Sequence, residues 1–553
     1  MPLQSTLTLQ TRSTKKLILG ILTLAFTSSV VAAGTPTTTS DAIRLLDQAA
    51  FGPSDTAIAA VVATGAAGWI DQQLAMPATG YAHYNYIDSK TTVGCPTGSD
   101  KYCLRENYSA FPIQLQFYRN AVSGPDQLRQ RVALAWSQIF VVSGLEIKPV
   151  YAMREYEQML LDNAFGNFRD LLQRVTLSPA MGDYLDLVRN DKPNPATGLQ
   201  ANENYARELM QLFTIGLVTL NPDGTPFKDA RGATVPTFDL PAVQGLARAL
   251  TGWTFAPKPG TASVWANPAY YFGAMVPFAD HHDADAKTIV GNRTLPAGQT
   301  PEKDMADALD ALFRHPNVGP FIGRQLIQFL VTSNPTPAYV TRVTAVFNNN
   351  GNGVRGDMKA VVRAILLDPE ARGDSKSDPN YGKLREPAVW VASVARAFGG
   401  RTDGVFLHNA ANTMGQSVFN ADSVFNFYSP DDALPNSATL VAPQFGISTA
   451  SSILARYNTA NREVLINTGV TPDPNVAGST GTFTDFTGYT ALAATPSLLV
   501  DRMDALLNHA TMSSTEKNAI VAAINGIPAW NTGARARTAA YLIVTSPTYQ
   551  ITR

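Results

Sequence analysis

Two short stretches of this chain carry side chains whose types and spacing chemistry uses. ANENYARELMQLFTIGL, residues 201–217, gathers Asn202, Glu203, Asn204, Arg207 and Glu208 ahead of an apolar run. ADHHDADAK, residues 279–287, holds two histidines and three aspartates, including His281, His282 and Asp283, and ends on Lys287. Helix-borne carboxylates beside an irregular loop suit acid/base work, with Glu203 or Glu208 as the proton carrier. Arg207 and Lys287 suit an anionic group, and Asn202 and Asn204 supply neutral hydrogen bonds. Imidazole and carboxylate together suit a divalent metal such as zinc, manganese or iron, which makes His281, His282 and Asp283 candidate ligands. The opposing reading uses the same residues to lock helices and a polar turn together by hydrogen bonds and ion pairs.

The elements that must position these groups are mostly helical. At about 100° per residue, Tyr205, Leu209, Leu212, Phe213 and Gly216 share one face, which is the core side. Asn202 is placed to cap this helix, and Glu203 and Arg207 stand at the favoured i, i+4 spacing. Asn204 and Glu208 lie on a flank beside the apolar face, where a carboxylate needs a donor or a cation. Further helical periodicity covers 41–52, 57–74, 112–144, 155–187, 241–253, 302–313, 319–331, 338–347, 356–367, 386–398 and 447–466, and three runs between 496 and 545. Residues 221–240 predict a small β-hairpin around glycine turns. Residues 256–298 and 417–445 read as irregular, and the latter contains the aromatic run VFNFYSP, 424–430, able to stack on a sugar or to pack a loop. The fold class is therefore mainly α, a multi-helical, bundle-like body with long irregular loops and a small hairpin. Its expected parts are a main domain over 34–466, which allows two lobes (34–254 and 299–466) joined by loop 255–298, then a linker over 467–488. A C-terminal helical segment, 489–553, is expected to pack on the body.

A chain of 553 residues with 45% hydrophobic residues buries a large core. Its formal net charge of -1 and the lack of a basic run with interleaved aromatics argue against a nucleic-acid partner. Arg12, Lys15 and Lys16 precede an apolar stretch over 17–26, and Val31-Ala32-Ala33 offers a small-residue cleavage site, so residues 1–33 are expected to be a signal peptide. The apolar stretch falls short of the roughly 20 residues a membrane span needs, and no transmembrane span is expected once the signal is removed. The expected location is outside the cytoplasm, in the periplasm or the extracellular medium. The two cysteines, Cys95 and Cys103, lie close together in a turn-rich stretch and read as a local disulfide in that compartment, the alternative being two free thiols. No nucleophile elbow, phosphate loop or dinucleotide glycine pattern is present.

NENYARELMQLFTIGL, preceded by AFGNFRDLLQRVTLSPAMGDYLD and followed by LARALTGW, resembles the signature of a bacterial family called domain of unknown function 1800. RLLDQAAFGPS, HHDADAKTIVG, GPFIGRQLIQFLVTSNP and the closing SPTYQ fit the same pattern in order, across nearly the whole chain after residue 33. The family's Asn-Glu-Asn-x-Ala-Arg-Glu motif falls on Asn202, Glu203, Asn204, Ala206, Arg207 and Glu208, and its His-Asp-Lys motif on His282, Asp283 and Lys287. His281 and Asp285 depart from that pattern. The resemblance implies an exported helical protein without an established activity, and a co-exported partner of a phosphatase- or sulfatase-like family. The functional expectation is a polar, hydrolase-like site with a divalent metal as its candidate cofactor and Trp253 near its rim. The alternative is a non-catalytic envelope scaffold or partner-binding protein.

Overall fold

Helices start where the sequence supplies a side-chain acceptor for an orphan amide. Ser54, Asn167, Asp239, Thr300, Thr336 and Asp357 each take the cap position and accept from an amide two or three residues on. Proline occupies the first turn of the helices Leu240–Ala249, Pro301–Arg314 and Pro337–Asn348, where its missing N–H costs nothing. The computed structural model describes residues 37–553 apart from 88–94, 96–97, 99–100, 374–375, 377 and 466–468. The expected signal peptide, 1–33, lies outside the described residues. Among these residues are 22 α-helices and four two-stranded antiparallel sheets, so the protein is mainly α. No helix among them is long and apolar enough to cross a membrane.

The helix Pro387–Ala397 has only Ser393 and Arg396 as polar residues and is buried along its whole length, with Trp390 fully enclosed. Glu386, just before it, takes bonds from Gln138, Gln416 and Tyr428 at 3.1, 2.7 and 2.8 Å and faces Arg131 at 3.3 Å. Strand Lys383–Leu384, immediately upstream, pairs antiparallel with Ile551–Thr552. The end of the chain is thus stitched to the entrance of the central helix. Cys95 and Cys103 form the expected disulfide.

Three local expectations change. The 201–217 helix is shorter, Asn204–Gln211, because Gly216 adopts a left-handed φ of 69° and its amide turns back to the Met210 carbonyl. The 221–240 hairpin is a ribbon of isolated antiparallel bridges, Val218 to Pro236, Leu220 to Pro226 and Lys228 to Thr234, that begins before residue 221. The stretch 256–298 is more ordered than it reads: Val276–Pro277 pairs with Trp253–Thr254, and Lys287–Ile289 with Arg293–Leu295. Strands of two or three residues are too short to leave a period in the sequence.

Candidate functional site

Asn202 does accept an amide, but from Asn204 at 2.8 Å, and Glu203 occupies the cap position of the short helix. Arg207 donates to Glu203 at 2.7 Å across one turn, a half-exposed pair worth about 0.3–0.5 kcal/mol. Asn204 donates to Asp186 at 3.1 Å. Glu208, buried on the flank, has an Oε2 that accepts no hydrogen bond. Burial pushes its carboxyl above the ordinary value, and the Arg207 charge offsets this only in part.

The 279–287 loop has a different set of partners. His281 stacks flat on Trp265, with centroids 4.0 Å apart, and its Nδ1 meets Asp191 at 2.8 Å. His282 turns inward: its Nδ1 lies 3.0 Å from the Thr251 carbonyl and its Nε2 2.9 Å from Asp304. Asp283 takes a two-pronged grip from Arg248, and its amide donates to the Thr251 hydroxyl at 2.9 Å. Lys287 donates to both the Asp283 carbonyl and Asp304, and Gln299 donates to the remaining Asp304 oxygen. Asp304 sits in the first turn of Pro301–Arg314, where the helix dipole favours a carboxylate. Burial pushes the Asp304 carboxyl up, but the bonds from His282, Lys287 and Gln299 and the Lys287 charge together hold it below the usual range. Asp283 is held low in the same way, with burial opposed by Arg248 and the Asp285 amide.

Gly245 sets how closely the Leu240–Ala249 helix approaches this loop. A Cβ there would lie 1.8 Å from the Thr288 carbonyl oxygen, so the strand carrying Lys287 rests on the bare helix backbone. Gly245→Ala is expected to push that strand away and cost about 1–3 kcal/mol, read as a lower urea midpoint with an unchanged helical spectrum.

The two clusters meet at one place. Glu203 and Arg248 line a shared cleft of about 290 Å³ with Gln200, Gln244 and Thr288. His282 and Lys287 do not line it and are buried. His281 and His282 address different carboxylates, and no group of three or more metal-capable side chains is assembled among the described residues. Trp253 is buried in its strand pair and does not line this cleft, and its Nε1 has no acceptor. Sequence reasoning does not single out Arg248, Thr251, Gln299 or Asp304. Arg248 and Thr251 were visible only as members of LARALTGW, and an aspartate in a first helical turn reads as an ordinary dipole partner.

A helical body whose central polar network joins a helix start, a loop and a short hairpin thus defines the class. The chain belongs to the family described as protein of unknown function (DUF1800), whose profile matches residues 44–551. No curated protein and no solved structure matches it.

Proposed function

We propose that this chain is an exported, non-catalytic member of its family, a rigid helical framework that presents binding surfaces to a partner outside the cytoplasm. One observation carries this reading. The groups best suited to chemistry, His282, Asp283, Lys287 and Asp304, spend their hydrogen bonds on one another and on Arg248, Thr251 and Gln299. Such closure fixes a loop to two helices and leaves no nucleophile or base facing solvent in that network. The partner class suggested by the family resemblance is a co-exported protein of phosphatase- or sulfatase-like fold.

A second reading, a metal-assisted hydrolase-like site, is favoured by the Glu203–Arg248 cleft and by Glu208, whose raised pKa suits a general acid. Metal analysis of the purified full chain, with thermal melting of His282→Ala and Glu208→Gln, separates the two. The framework reading expects divalent metal well below one per chain. It also expects His282→Ala to cost about 2–4 kcal/mol and Glu208→Gln to melt no lower than the wild type. Stoichiometric metal that His282→Ala abolishes while the fold stays intact overturns it in favour of a metal site.

A further inference from the structure

A cavity of about 540 Å³ that shares none of these residues lies between the start of helix Phe111–Ser123, helix Val405–Thr413 and the 415–427 loop. Two buried polar atoms there are left without partners. His408, only 7% exposed, lines the cavity with its ring edge-on to Phe111 at 5.3 Å, and its Nδ1 makes no hydrogen bond. Asn420 also lines it, and its buried Oδ1 accepts nothing. Both atoms are closed off from solvent, so it is the accessible parts of these side chains that line the cavity.

The surroundings hold these atoms in place. Gln114 donates to Ser417 at 3.1 Å and to the Val418 carbonyl at 2.6 Å, which anchors the loop from below. Phe419 adopts φ 64°, a left-handed conformation unusual for an aromatic residue. It is kept there by a bond from the Gly144 amide at 2.8 Å and by edge contacts with Tyr81 and Phe117. A Cβ on Gly144 would fall 2.5 Å from Asn420 Oδ1, so glycine makes room for that carboxamide. Backbone strain of this kind fixes the direction of the neighbouring side chain.

We propose that this cavity binds a saccharide chain, with His408, Asn412, Asn420 and Asp422 hydrogen-bonding its hydroxyls and the Phe427 ring receiving its apolar face. The lining fits that chemistry and fits others less well. Its one cation, Arg105, is already committed to Glu106 and the Asn475 carbonyl and is stacked over Tyr102 and Phe111, which leaves little for an anionic ligand. None of the lining residues belongs to a strand, so an extended peptide has no sheet edge to join. Burial pushes the His408 imidazole down to about 4, so it stays neutral, able to donate and accept, at physiological pH. Phe427 belongs to the aromatic run that the sequence marks as able to stack on a sugar. This inference does not rest on the framework reading, since none of its residues belongs to the His282 network.

Calorimetric titration of the full chain with cellohexaose, maltohexaose and chitohexaose tests it. At least one hexasaccharide is expected to saturate at millimolar concentration or below. His408→Phe is expected to weaken that binding about tenfold, the worth of one good hydrogen bond. Asn412→Trp, at an exposed position on the rim, is expected to abolish binding with an unchanged thermal midpoint, and it serves as the control if His408→Phe folds poorly. Absence of saturable heat with all three sugars, or Asn412→Trp binding as tightly as the wild type, overturns the proposal.

Discussion

Asp304→Ala is expected to lower the unfolding free energy by about 3–5 kcal/mol, among the largest single effects available in this chain. Its side chain is fully buried and receives His282, Lys287 and Gln299 together. Removing the carboxylate leaves a buried ammonium without its counter-charge, held only by the Asp283 carbonyl, and an imidazole nitrogen without its partner, and water cannot reach either cheaply. For a chain this long, unfolding entropy of about 2.1 cal/mol/K per residue converts that loss into roughly a 4 °C fall in the thermal midpoint. Lys303→Ala, one residue away on the same helix, removes the Lys303–Asp307 pair, whose lysine is well exposed, and is expected to cost about 0.5 kcal/mol or less. The pH dependence has a definite sign. The Asp304 pKa in the folded state lies below its unfolded value, so its contribution is complete above about pH 3.9 and is lost as pH falls through the folded value. Urea titrations of the wild type and both variants check the contrast, and equal costs for Asp304→Ala and Lys303→Ala would sink it.

That prediction rests on Asp304 and Gln299, which the sequence does not mark, whereas the residues it does mark fall into two kinds. Glu203 and Arg207 pair as i, i+4 neighbours because that contact is local and needs only helical geometry. His282, Asp283 and Lys287 are placed in one centre by a family motif, but their partners come from distant helices through tertiary packing, and no local spacing carries that information. Helices with a buried stripe or a mostly apolar surface, such as Pro387–Ala397, were legible because burial imprints period and composition over three turns. The strand Lys287–Ile289 was not, because it is held by a backbone ladder of three residues and by the bare surface of Gly245. Asn204 and Glu208 share a flank as the wheel predicts, yet one reaches Asp186 and the other has an oxygen without a donor. A face can be read from the sequence; a partner across it cannot.

Arg385→Met is expected to cost about 3–5 kcal/mol near pH 8 and less near pH 5.5. Arg385 grips both oxygens of Asp47 at 2.8 and 2.9 Å and donates to the Tyr549 carbonyl at 2.9 Å, all with almost no exposure. His509, at the end of helix Pro496–Asn508, donates from Nε2 to Asp47 at 2.8 Å, so one carboxylate joins the helix Thr39–Ala49, the segment leading into Pro387–Ala397 and the C-terminal region. Burial raises the Asp47 carboxyl, but the Arg385 charge and the bonds from His509 and Arg385 reverse this and hold it far below the ordinary range. Burial lowers the His509 imidazole, and the bond and charge of Asp47 restore only part of that. Both folded values are thus depressed, so at these two sites the folded wild type binds fewer protons than the unfolded chain, and the stability they contribute falls as pH drops below about 6.5 and again below about 3.9. Arg385→Met reverses the first of these steps. With the arginine gone, Asp47 is an uncompensated buried anion, and protonation of His509 is the nearest way to neutralise it. The folded His509 value then rises above its unfolded one, which adds stability below about pH 6.5 that disappears at higher pH. Urea unfolding of the two proteins at both pH values reads the difference directly. A penalty that is the same at the two pH values would mean that His509 does not share the charge of Asp47, and that Arg385 acts there through packing alone.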